Sequence, residues 1–142
     1  MKAVMDSGAS ASVASASLFP EYETMPSEGS LAGQEFVSAS GETLPNQGEQ
    51  HVDIVTDDGV PMVTRYQNAD VQRPLNAISE FCDAGGLEGQ YVVFSKWGGV
   101  VWNPETNRKI PFEREGGIYH MGMWVRPRGP EVSGCTGQGV RK

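Results

Sequence analysis

Ala3-Val4-Met5-Asp6-Ser7-Gly8-Ala9-Ser10 decides how this chain is read. A short apolar run leads into a single carboxylate, and the residues after it are among the smallest there are. Lys2 to Met5 reads as a strand running into a loop. Gly8 in that loop permits a close approach of two backbones, which a bulkier residue would block. The chain carries this loop once.

The pattern points to carboxylate chemistry. Hydrolysing a peptide bond by acid–base catalysis takes a base to activate water and an acid to protonate the carbonyl oxygen and the leaving amine. Two carboxylates a few ångströms apart can do both, because like charges at that distance cannot both ionise and one proton is shared. The loops bearing them must then lie back to back, so each Asp has to be followed by residues without bulk. Ser7 supplies a hydroxyl for a bond across the loops, and Ala9 and Ser10 add no obstruction. With one loop per chain, two copies must meet to complete such a site. Alone, an Asp-Ser-Gly triplet is more often a plain turn. Here a Gly-bearing hairpin follows around Ser40-Gly41, where a flap would cover a substrate, and a second apolar segment meets a short helix at Leu75-Asn76-Ala77-Ile78-Ser79.

Composition agrees with a strand-rich domain. Of 142 residues, 18 are Gly and 9 are Pro, and hydrophobic residues make up 38%. That is a composition of short strands and turns, not of long helices. The net charge of −7 is uneven: residues 1–64 hold ten acidic groups and only Lys2 as a basic one. Phosphate binding needs clustered Lys and Arg, so nucleic acid is not expected as a partner of this domain. No apolar stretch approaches membrane-spanning length, and no membrane partner is expected. The two cysteines, Cys82 and Cys135, show no metal or disulfide spacing, which fits a reducing, cytoplasmic setting. Cys82 reads as a small buried hydrophobe.

Along the chain, Ser7 to Ser17 is nearly all small residues, anchored by Leu18-Phe19. Glu21 to Gly33 reads as a surface loop. His51-Val52-Asp53-Ile54-Val55-Thr56 alternates polar and apolar residues, the signature of a strand. Asp57-Asp58-Gly59 turns it into a partner running from Val60 to Gln67, with Pro61 at the strand start. Ala77 to Ala84 is a helix candidate stopped by Gly85-Gly86. Tyr91-Val92-Val93-Phe94-Ser95 is the strongest strand signal. Residues 1–95 read as one domain, 96–125 as a strand-rich extension and 126–142 as a disordered tail.

These motifs, in this order, resemble the protease region of copia-type retrotransposon polyproteins, a retropepsin-like group. Asp6 to Ser10 with Leu18-Phe19 resembles its start. Ser38-Ala39-Ser40-Gly41-Glu42-Thr43-Leu44-Pro45 with Gly48 is similar to its flap hairpin. The segment from Arg73 to Gly85 resembles its N-L-L-S-V-S-x-L-C-D-x-G stretch. Glu113 to Tyr119, with Gly116-Gly117-Ile118-Tyr119, is similar to its G-L-Y lead-in to the pre-integrase region. The resemblance covers roughly residues 3–125. It implies an all-β, retropepsin-like closed barrel with one short helix, one lobe per chain, acting as a homodimeric aspartic endopeptidase on a peptide or polyprotein substrate. Asp6 carries over as the catalytic aspartate, Ser7, Gly8 and Ala9 as its loop, and Ala39, Ser40 and Gly41 as the flap. Ala77, Ile78 and Ser79 carry over as the second apolar segment near the site. No metal or organic cofactor is implied, and the setting is intracellular, a retrotransposon particle included.

Other readings of the same residues are weaker. Ser10 or Ser12 with His51 and Asp53 could be drawn as a hydrolase triad, but the second glycine of a nucleophile elbow is missing. His51 and His120 read as exposed strand residues, not metal ligands. Trp97, Trp102, Trp124 and Tyr119 read as core or rim packing before a ligand platform. The main alternative to an enzyme is a catalytically inactive or truncated retropepsin-like β module that binds peptide or a partner protein.

Overall fold

Alternating side chains in His51 to Thr56 cannot all be buried, so this run lies on a sheet with one face inward. Val52, Ile54 and Thr56 are buried and His51 is exposed. The computed structural model describes residues 1–38 and 40–128. The tail expected over 126–142 therefore lies outside the described residues from position 129 onward, as does Ala39 of the expected flap.

The described chain is mainly β. Its strands are β1 (Lys2–Asp6), β2 (Val13–Ala14), β3 (Glu35–Val37), β4 (Thr43–Pro45), β5 (Glu49–Thr56), β6 (Pro61–Asn68) and β7 (Leu75–Ala77). They continue as β8 (Tyr91–Phe94), β9 (Gly98–Asn103), β10 (Arg108–Glu115) and β11 (Ile118–Val125). Two short helices accompany them, α1 (Glu28–Leu31) and α2 (Ile78–Asp83). Among the described residues no helix is long and apolar enough to cross a membrane.

Nine strands form one sheet in the order β1-β7-β2-β6-β5-β11-β10-β9-β8, and β3 and β4 form a separate hairpin. The β5–β6 pair turns at Asp57-Asp58-Gly59, where Gly59 has φ +86° and donates its N–H to the Thr56 carbonyl at 2.8 Å. β11 is shared: Met123 to Val125 pair with Thr56 to Ile54 of β5, while His120 to Gly122 pair with Val4 to Lys2 of β1. The second contact joins the two ends of the strand series β1-β7-β2-β6-β5-β11.

Two apolar clusters sit on this sheet. One gathers Ala3, Ala14, Phe19, Val52, Ile54, Tyr66 and Met123, with the Phe19 and Tyr66 rings stacked at 5.3 Å. The other packs Val101, Ile110 and Phe112 of the β9–β10 hairpin against Met5 and Met121, and against Phe81 of α2. A buried polar network is tied to the first cluster through the backbone of Phe19 and Tyr22. Gln50 Nε2 donates to the carbonyls of Phe19 and Tyr22, and Asn68 Nδ2 donates to Gln50 Oε1. Burial, and then the charge of Glu80, push the Tyr66 hydroxyl far above its usual range, so it stays protonated and donates to Asn76 Oδ1 at 2.6 Å.

Several local expectations need correction. Residues 21–33 are not all loop: Ser27 caps α1 by accepting the Ser30 N–H, and Ser30 Oγ accepts the Ser27 N–H in return. A four-residue helix is too short to leave a periodic signal. His120 is buried at 3% exposure, because β11 lies inside the sheet between two partners. Cys82 is half-buried, not fully enclosed. Of the tryptophans expected at the core or its rim, Trp97 and Trp124 are 81% and 69% exposed, which leaves them out of the core. Trp97 instead lies under the Lys96 ammonium, 5.0 Å from its ring centre.

A charged cluster ties β1, β10 and β11. Glu115 Oε1 meets His120 Nε2 at 2.7 Å, and Lys2 Nζ donates to both Glu115 oxygens at 3.3 Å. The hydrogen bond to His120, then those from Lys2, hold the Glu115 carboxyl below its ordinary value of 4.5. A carboxyl with a depressed folded pKa stabilises the fold above its unfolded pKa, and that contribution is lost as pH falls through the folded value. Urea midpoints measured below pH 4.5 should therefore drop more steeply for the wild-type chain than for Glu115→Gln, with the two curves parallel at neutral pH.

Candidate active site

Asp6 is the last residue of β1 and sits in register with Ala77, the last residue of β7. Its side chain is half-buried. The turn that follows is held by the carboxylate itself, since the Gly8 N–H donates to Asp6 Oδ1 at 2.8 Å. A side chain at position 8 would place its Cβ 3.3 Å from that oxygen, a tight contact that the carboxylate would have to yield to. Ser7 and Gly8 are exposed and Ala9 is half-buried.

The chain leaves this loop through β2, but β1 and β2 do not pair. β7 lies between them, parallel to β1 through Val4↔Leu75, Met5↔Asn76 and Asp6↔Ala77, and antiparallel to β2 through Val13↔Leu75. The two arms of the loop are thus splayed by one strand, and both are held by it. Ser12 completes the attachment. Its hydroxyl accepts the Ala77 N–H at 3.0 Å and donates to Glu80 Oε1 at 2.6 Å, so one buried side chain joins the outgoing arm to β7 and to α2.

Of the expected second segment, Ala77 is fully buried beside Asp6, Ile78 is half-buried at the start of α2, and Ser79 is exposed. The β3–β4 hairpin carries Ser40 and Gly41 at its exposed tip, where Gly41 N–H donates to the Ser38 carbonyl at 2.9 Å and the Ser38 and Ser40 hydroxyls meet at 3.0 Å. The serine-triad arrangement is not assembled: Ser12 bonds Glu80, while His51 Nε2 meets Glu49 Oε2 at 2.7 Å. Among the described residues no three His, Cys, Asp or Glu side chains group as metal ligands.

No family model matches this chain, and no curated protein or solved structure matches it either. The chemistry of the loop has to be argued from its own geometry. One carboxylate stands at a strand end, flanked by small residues and fixed by a backbone N–H. Alone it can take or give one proton, or orient one water; it cannot hold both roles of an acid–base pair in the same step.

Asp6 at a strand end was legible in the sequence; the ties made by Ser12, Glu80 and Asn76 were not. Ser12 falls inside a run of small residues, and nothing in that run marks a buried hydroxyl. Removing it should show its place. Ser12→Ala leaves the buried Ala77 N–H without an acceptor and should cost about 1–3 kcal/mol in urea unfolding. Glu80→Gln keeps a carbonyl oxygen for Ser12 and should cost less than half of that.

Proposed function

We propose that this chain is one half of a retropepsin-like aspartic endopeptidase, in which two copies pair their Asp6 loops. The observation that carries the reading is the insertion of β7 between the arms of the loop. It fixes both arms, carries Ala77 alongside Asp6, and leaves Ser7 and Gly8 exposed with no bulky side chain to keep a second loop away. The return of β11 to β1 supports a closed barrel of six strands as the scaffold. The β3–β4 hairpin supplies the flap.

In the paired site two Asp6 carboxylates share one proton. The ionised one takes a proton from a water held between them, and that water attacks the scissile carbonyl carbon. The protonated one gives its proton to the carbonyl oxygen. Collapse of the tetrahedral intermediate then passes a proton to the leaving amine and restores the pair. The Gly8 N–H bond holds each Asp6 side chain in place for this exchange. Substrate lies extended between flap and floor and pairs its backbone as an added strand. The context that fits is processing of a retrotransposon-type polyprotein inside the cell.

One observation favours a second reading, a peptide-binding β module that does not cut. A cavity lined by residues of β6, α2, β9 and β10 has an apolar floor and does not include Asp6. The test separates the two. The purified chain and its Asp6→Asn variant are assayed on a peptide library at mildly acidic pH. Cleavage by the parent that drops about 10²–10⁴-fold in the variant supports the peptidase. Equal cleavage by both removes Asp6 from the chemistry, and cleavage by neither leaves the binding module.

A further inference from the structure

β6 pairs with β5 along its length, but with β2 only at Gln67 and Asn68. The hydrogen-bond alternation shows which backbone groups are left over. Thr56 donates to the Val60 carbonyl and Asn68 to the Gly48 carbonyl. In an antiparallel ladder such exchanges recur at every second pair, so Met62, Thr64 and Tyr66 turn their N–H and C=O toward β5. Those of Val63 and Arg65 point the other way, as does the Gln67 N–H, which finds the Ser12 carbonyl at 2.9 Å. On that outward side, no strand among the described residues pairs with Val63 or Arg65.

This free edge borders a cleft of about 380 Å³, within the range of ligand sites. Met62, Phe81 and Ile110 give it an apolar floor, and Arg65 and Arg108 line it as well. Thr64 also lines it, with a buried hydroxyl that has no hydrogen-bond partner. Glu80 is the carboxylate in the lining, and it is engaged by Ser12. Neither arginine forms an ion pair with any described residue. Glu49 on β5 feels the Arg65 charge without touching it.

We propose that this cleft is a docking groove for an extended, acidic peptide segment that adds as a strand to the free edge of β6. The edge offers the N–H and C=O groups of Val63 and Arg65. It ends at Pro61, which has no N–H to donate, and at Gln67, which Ser12 already takes. That fixes the register to about two residue pairs, with an apolar side chain over Phe81 and Ile110. Charge sets the preference. On a chain of net charge −7, whose first 64 residues hold one basic group, two unpaired guanidinium groups at one cleft select an acidic partner. The groove does not include Asp6, although the outgoing arm of the loop borders it at Ser12, and the proposal stands whether or not the chain cleaves peptides.

The test uses the full chain carrying Asp6→Asn, so that no probe is consumed, and an acetylated, amidated peptide alternating Glu and Val. Amide hydrogen exchange is read by NMR and affinity by fluorescence anisotropy of a labelled copy. Saturating peptide should slow exchange at the Val63 and Arg65 amides at least tenfold. Val63→Pro, which removes an outward N–H and spares the pairing to β5, should weaken binding at least tenfold. Arg65→Gln with Arg108→Gln should abolish the preference over a peptide alternating Lys and Val. Absence of binding, binding that leaves those two amides unchanged, or retained preference in the double variant would overturn the proposal. So would protection of the same amides that grows with protein concentration and needs no peptide, since that assigns the edge to a second copy.

Discussion

Backbone pairing of Leu75–Ala77 with both arms of the Asp6 loop is the constraint on which the rest depends. A loop of Ser, Gly and Ala has almost no side chains to define its shape, and left alone it would sample many conformations at little cost. Here the strand between its arms removes that freedom. Ser12 adds a second tie, because its one hydroxyl serves as acceptor for β7 and donor to α2. Asp6 then inherits its position from groups that are buried and hydrogen-bonded.

That position is tied to the core through polar groups. Asn76 pairs with Met5 one step before Ala77 pairs with Asp6, and it accepts the Tyr66 hydroxyl. Tyr66 stacks on Phe19, and Gln50 holds the carbonyls of Phe19 and Tyr22 from the far side. Such a network stabilises little over an apolar core of the same shape, but it penalises any shift that leaves one member unpaired. The segment from Phe19 to Tyr22 is thereby fixed.

Much of this was legible in the residues, for identifiable reasons. The β5–β6 hairpin announces itself by alternation and by Asp57-Asp58-Gly59, both local signals. Asp6 at a strand end and α2 stopping before Gly85-Gly86 were equally local. What could not be read was partnership. Nothing in Val13-Ala14 tells that two residues form a strand, or that Leu75–Ala77 separates them from β1. Nor does Ile118 to Val125 reveal that it bridges β5 and β1, and with that bridge hidden, His120 read as exposed when it is buried. Pairing joins residues far apart in the chain, and a strand's pattern gives its face but not its neighbours.

The proposed site needs two Asp6 side chains acting as one unit, and mixing tests that directly. Wild-type and Asp6→Asn chains are combined in varying proportion at constant total concentration, with time allowed for exchange, and peptide cleavage is measured. If a working site needs an aspartate from each of two copies, activity falls as the square of the wild-type fraction. Activity that falls in simple proportion would mean that each chain works alone, and would contradict the paired site.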